Sequence, residues 1–265
     1  MGSDLTSIPG ESVADQEKYR IQGKVAVITG ASRGLGRRIG QAFAKEGVRL
    51  ALLSRNAATL DAAALEMGPL ATAFPTDIAD PTAVRETFAA IARQFQGVDI
   101  LVNNAALGHL QSIEESNDQL LQEEVSTNLL GPIYCMRSVI PLMRARGGGD
   151  IINITSESTR APYPFLSVYA ATKSAIETLS AGLRTELRGE NIRITVLRSG
   201  RLLESGFNRD WPEERRERYR AIVQREGYHA VSGEPISPQI TARAIVELVR
   251  LPRAANVDLM ELRPS

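Results

Sequence analysis

An α/β fold, a doubly wound parallel sheet with helices on both faces, is what the sequence predicts, and three observations carry it. Short β-type runs alternate with longer helix-like stretches along the chain. A glycine-rich turn, "TGASRGLG" at 29–36, follows the first apolar run and opens a helical pattern. The 265 residues, 43% of them hydrophobic, suffice for one large buried core, and no repeat or low-complexity tract divides them.

Taken in order, residues 1–22 are polar, include acidic side chains and lack an apolar run, so they are expected to form a mobile arm and not a secretory signal. The domain proper is expected over 23–265. Strands are expected in "KVAVITG" (24–30), "RLALLSR" (49–55), "ATAFPTD" (71–77), "VDILVNNA" (98–105), "DIINITS" (150–156) and "IRITVLR" (192–198), with helices between them. Asp80 followed by Pro81 reads as an N-cap with proline in the first turn, and "RGGGD" closes a long helical segment that begins near Asn117. The charged run "PEERRERYRAIVQRE" is a helix with a solvated face, and "NVDLMELRPS" offers one more strand. Alternation of this kind gives a Rossmann-type single domain.

Composition excludes several functions. Lys+Arg and Asp+Glu both number 31, so nothing attracts nucleic acid. The single cysteine, Cys135, leaves neither a disulfide framework nor a cysteine cluster for zinc; no metal site is expected, and a cytoplasmic setting fits. No apolar run approaches the ~20 residues that span a bilayer, so no membrane partner is expected.

In the first strand-to-helix turn, Gly30, Gly34 and Gly36 let the chain turn tightly and bring backbone N–H groups to a phosphate, although their GxxxGxG spacing departs from the GxGxxG form. The same letters, "GASRG", fit a G-x-S-x-G nucleophile elbow with Ser32 as nucleophile. A serine hydrolase is therefore a rival, but it would have to draw on His109 or His229, and its elbow would follow the first strand. In "SVYAATKSA", Tyr169 and Lys173 stand four apart, on one face of a helix. Bringing a phenol from ~10 to about 7 takes roughly 4 kcal/mol. A cation ~4 Å away supplies about that at an effective dielectric of ~20, before desolvation is subtracted. Spacing alone does not separate such a pair from chance.

Together, TGASRGLG, NNAA at 103–106, Asn128, Ser156 and Tyr169-x-x-x-Lys173 resemble the single-domain branch of the short-chain dehydrogenase/reductase family, over nearly the whole chain from Lys24. Serine and tyrosine are thirteen residues apart, as the family pattern expects. The resemblance implies an oxidoreductase moving a hydride between nicotinamide and a carbonyl or secondary alcohol. Tyr169 would be its general acid/base, Ser156 would hold the substrate oxygen, and Lys173 would lower the tyrosine pKa and hold the ribose. Asn128 would order a water; read alone, it is a helix-face residue pointing outward. Asp77 and Ile78 would meet the adenine, and Asn103 with Ala105 the adenine ribose. Ser32 and Leu35 in the glycine turn join the cofactor-binding set.

Arg55 stands nineteen residues past Gly36, where an acidic residue would mark NAD. With Arg33 and Ser54 it suits a 2′-phosphate, so NADP(H) is expected over NAD(H). After the sixth strand the family's Pro-Gly is replaced by Ser199-Gly200, and Glu204 takes the place of a threonine that meets the carboxamide, with Ser205 next to it. Residues 201–235 are expected to form a substrate lid carrying Phe207 and Trp211. A small-molecule substrate and a homodimer or homotetramer follow from the resemblance. A non-catalytic NADP(H) sensor or scaffold is the alternative outside enzymology.

Overall fold

Alternate residues of the central strands face opposite sides of the sheet, and here both sides are apolar, which is the pattern of a parallel sheet buried under two helical layers. The computed structural model describes residues 20–203, 205–209, 211–227 and 233–265. Seven strands, β1 (Val25–Thr29), β2 (Arg49–Ser54), β3 (Ala71–Pro75), β4 (Ile100–Asn103), β5 (Gly149–Ser156), β6 (Ile192–Ser199) and β7 (Leu259–Leu262), pair in parallel in the order β3-β2-β1-β4-β5-β6-β7. The helices are α1 (Gly34–Lys45), α2 (Ala57–Met67), α3 (Pro81–Phe95), α4 (Asp118–Val125), α5 (Gly131–Ala145), α6 (Ser167–Glu186), α7 (Glu213–Arg225) and α8 (Pro238–Arg250).

Ala26, Ile28, Leu50, Leu52, Ile100 and Val102 point to one core with Ile39 and Phe43 of α1, Leu60 of α2 and Ile245 of α8. Val25, Val27, Ala51, Leu53 and Leu101 point to the other, with Phe88 of α3 and Val139 of α5. The expected Asp80 cap is present: its carboxylate accepts from Thr82 N at 2.7 Å, and Pro81 follows.

Two boundaries differ from the expectation. Ile21 is buried in the first core, so the folded part includes residues assigned to the arm; residues 1–19 lie outside the described residues. The long helical segment is interrupted by a π turn at Ser126–Leu130, between α4 and α5. The C-terminal run does form a strand, β7, whose pairing with β6 is continued by Gly200 N donating to Leu262 O at 2.7 Å.

At the other end of the sheet Asp150 is nearly enclosed between two guanidinium groups, Arg193 Nε at 2.6 Å and Arg253 Nη1 at 2.8 Å. Arg193 also donates to the carbonyls of Leu251 and Ala255, tying the α8-to-β7 connection to the sheet. Asp150→Ala leaves these cations without their carboxylate and is expected to lower stability by roughly 3 kcal/mol, on the order of 10 °C in a thermal melt.

Candidate active site

The strand order reverses between β1 and β4, so the two flanking crossovers leave in opposite directions and a crevice opens outside the carboxyl ends of the strands. A cleft of about 930 Å3 lies there, reached by the ends of β1, β2, β3, β4, β5 and β6. Gly30, Ser32, Arg33, Leu35, Ser54, Arg55, Asp77, Ile78, Ala105, Ser156, Tyr169, Lys173, Ser199 and Gly200, all expected in the site, line it.

At the glycine turn, Gly30 has φ +66°, and a Cβ there would lie 2.8 Å from Ala105 Cα. Gly36 lies behind the turn, where a Cβ would meet Gly30 O. Arg33, the N-cap of α1, makes no side-chain cap hydrogen bond, so the first-turn N–H groups stay available to an anion. Asn104 fastens the turn by donating to Thr29 O at 3.0 Å, while Thr29 Oγ1 accepts from the N–H groups of Asn104 and Ala105, both at 3.0 Å. This cradle fits the pyrophosphate of a dinucleotide.

Asn103 departs from its assignment. Its side chain turns into the sheet and donates to Asn153 Oδ1 at 2.8 Å, and Asn153 in turn donates to Ser180 of α6. Neighbouring Asn104 is the one that reaches the turn. Asp77 serves as a turn acceptor for Ala79 N at 3.0 Å as well as lining the cleft. Arg55 reaches across the cleft to Glu123, Nη1 to Oε1 3.2 Å, and the other oxygen of Glu123 faces His109 Nε2 at 3.3 Å.

Ser32 Oγ lies 3.0 Å from Ser54 Oγ. With His109 turned to Glu123, this hydroxyl has no imidazole beside it among the described residues, and His229 lies outside them. That arrangement is unlike a hydrolytic triad.

Tyr169 and Lys173 do share a face of α6. Ser156, at the end of β5, lines the cleft with the tyrosine, its hydroxyl accepting from Ser158 N at 3.1 Å, and Lys173 Nζ lies 5.8 Å from the phenol ring centroid. The ammonium donates to Ile154 O at 2.9 Å. Desolvation governs both groups: it pushes the Tyr169 phenol up to about 12, against the hydrogen bond to Ser156, and draws Lys173 down to about 8. Burial is the largest influence on the phenol, and the ammonium that was expected to lower it is held by the Ile154 carbonyl.

Asn128 is fully buried in the π turn, so the outward-pointing reading fails. Its Oδ1 accepts from Leu107 N at 2.9 Å and its Nδ2 donates to Leu107 O at 2.7 Å and Thr172 Oγ1 at 3.3 Å. Ser205, in the segment after β6, lies with its carbonyl against Gly34. Glu204 lies outside the described residues.

Two acidic residues went unread in the sequence. Glu177 of α6 accepts from Thr155, Thr159 and Arg198, which braces the turn after Ser156; burial opposes its charge, but these bonds outweigh it and hold the carboxyl below its usual range. Glu124 is buried, with Oε2 accepting from His109 N at 3.2 Å and Oε1 lacking a partner. Burial, with the adjacent Glu123 charge adding to it, pushes this carboxyl up to about 7. No periodic signal marks either position.

Glu124 gives stability a pH dependence. Its folded pKa lies above the unfolded value, so the native state holds the proton more tightly and loses stability as pH rises from about 4.5 through 7, by about 3 kcal/mol at most. Glu124→Gln retains an acceptor for His109 N. It is expected to melt with the wild type at pH 5 and several degrees above it at pH 8.

Comparison with known proteins agrees with the fold. The family model for short chain dehydrogenase matches residues 24–216. Sorbitol dehydrogenase of Cereibacter sphaeroides is 38% identical over 65% of this chain and 69% of its own. The L-sorbose reductase of Gluconobacter frateurii, solved with NADPH and L-sorbose, superposes with a TM-score of 0.80 at 30% identity over 92% of this chain and 97% of its own. The 3-ketoacyl-(acyl-carrier-protein) reductase of Brucella melitensis, solved with NADH, gives 0.78 at 27% identity over 91% of this chain and 97% of its own. No described helix is long and apolar enough to cross a membrane. With the family model covering most of its length and this fold around the cleft, the chain belongs to the short-chain dehydrogenase/reductase family and is an NAD(P)-dependent oxidoreductase.

Proposed function

We propose that this protein is an NADP(H)-dependent reductase or dehydrogenase of a small carbonyl or secondary alcohol, with Tyr169 exchanging the proton. The observation that carries the reading is Ser156, Tyr169 and Lys173 meeting at one cleft, with Lys173 one helical turn past Tyr169 along α6. The glycine turn, Arg55 and Lys173 would hold NADP(H) along the cleft, where the cofactor would supply or accept the hydride. Ser156 and Tyr169 bind the substrate oxygen and stabilise the charge that develops on it. A phenol held above its usual pKa is in the neutral state that donates a proton in the reductive direction. Lys173 orients the ribose, and Asn128 holds the loop after β4 against α6. The described part of 201–235, which brings Phe207 and Trp211 to the cleft, would act as the lid; residues 204, 210 and 228–232 lie outside the described residues.

The NADP(H) preference rests on Arg55 and Arg33 at the adenine end. A dianionic phosphate competes well for Arg55, because an exposed ion pair such as Arg55 with Glu123 is worth only about 0.2–1 kcal/mol. Among the relatives both NADPH and NADH complexes occur, so the arginines carry this choice. The reading extends to a cytoplasmic homodimer or homotetramer, supported by the single cysteine and by the family likeness.

Two measurements test it. Tyr169→Phe is expected to lose at least a thousandfold in kcat for NADPH-dependent carbonyl reduction while binding NADPH like the wild type; wild-type turnover would remove the proton-transfer role, and a sensor predicts no Tyr169-dependent turnover at all. Arg55→Gln is expected to weaken NADPH binding roughly tenfold, about 1.4 kcal/mol, and NADH binding by less than about twofold. Equal effects on both cofactors would end the 2′-phosphate assignment.

A further inference from the structure

Beyond Tyr169 the cleft is walled by a ladder of rings. Phe207 packs on Tyr169 with ring centroids 4.8 Å apart, Trp211 meets Phe207 edge-on at 5.5 Å, and Tyr219 of α7 meets Trp211 edge-on at 5.7 Å. All four line the same cleft, with Leu110 and Val223 buried behind them. Phe207 can sit there only because residue 108 is glycine: a Cβ at Gly108 would overlap the far edge of the Phe207 ring. The sequence thus fixes an aromatic wall beside the group proposed to exchange the proton.

Several polar groups around this wall are bonded to the protein. Trp211 Nε1 donates to Gly108 O at 2.7 Å, Arg215 Nη1 donates to Leu110 O at 3.0 Å, and Tyr163 donates to Glu157 at 2.7 Å. Sorbitol and sorbose, for which two relatives are named, carry a hydroxyl on nearly every carbon. Each hydroxyl taken out of water needs a partner, and a wall of rings with committed donors is a poor source of them. A flat apolar substituent needs none, and it gains edge and face contacts with the rings.

Resting on the reductase reading above, we propose that the substrate is an aryl ketone or the corresponding benzylic alcohol, its aromatic group lying against Phe207 and Trp211. Trp211 is the chain's single tryptophan, so it reports on its own site.

The experiment compares acetophenone, cyclohexyl methyl ketone of similar volume, and L-sorbose, with the full chain and NADPH. Conjugation makes the aryl ketone intrinsically less reactive, so the informative quantity is how the kcat/KM ratio of acetophenone to cyclohexyl methyl ketone changes on mutation. Trp211→Leu is expected to lower that ratio about fivefold. Trp211→Phe, which keeps a ring but loses the bond to Gly108 O, is expected to restore most of it. In the NADP+-loaded wild type, acetophenone should quench tryptophan emission saturably while L-sorbose at the same concentration should not. A ratio unmoved by Trp211→Leu, or L-sorbose as the better substrate, overturns the aryl assignment and leaves the reductase reading standing. If no ketone turns over, the reductase reading falls, and the quenching decides whether the cleft binds aryl groups.

Discussion

A carboxamide sealed from water must find partners inside the protein, and Asn128 finds all of its own on two other segments. It exchanges hydrogen bonds with both backbone groups of Leu107 and donates to Thr172 of α6. The cost of leaving such a group unpaired is about 1–3 kcal/mol, so the three segments are held to one arrangement. The π turn at Ser126–Leu130 is what aims the side chain inward at that point. Through Leu107 it sets the loop after β4, which carries Gly108 and His109; through Thr172 it sets the helix that bears Tyr169 and Lys173. The cleft owes its shape to this junction.

A second chain of buried polar contacts fixes depth. Asn103 of β4 bonds Asn153 of β5, which bonds Ser180 of α6, which closes on Ile176 O at 2.7 Å. Apolar surfaces alone would let α6 slide along the sheet, since Leu and Val contacts are tolerant of register. Directional bonds are not so tolerant. Glu177, one turn before Ser180, then joins the same helix to Thr155, so the end of β5 and the face of α6 meet at a set height. Ser156 and Tyr169 face the same cleft because of that register.

What was legible in the sequence was local. The strand alternation, the Asp80 cap and the glycine turn depend on residues within a few positions of each other, and all were found where expected. What was not legible depends on distant partners. The inward turn of Asn128 requires Leu107, twenty-one residues away, and reading the helix alone pointed it outward. Arg55 meets Glu123 sixty-eight residues along, and the burial of Glu124 is decided by the loop that packs over it. Asn103 and Asn104 are the same residue type side by side, yet strand alternation sends them to different tasks.

The tyrosine and lysine bear on the same lesson from the side of energetics. Spacing places them on one face of a helix, and a simple Coulomb estimate then lowers the phenol. That estimate leaves out burial, which acts on both groups at once and in opposite senses: it raises an acid that becomes charged on losing its proton and lowers a base that is charged while it keeps one. In the folded chain burial is the larger effect, and the ammonium has a carbonyl to hold it. Burial thus pushes the phenol up and the ammonium down, opposite to the shift that would make a phenolate. Under the proposed reading a neutral phenol beside Ser156 suits carbonyl reduction, where it gives up its proton only as the substrate oxygen becomes basic enough to take it.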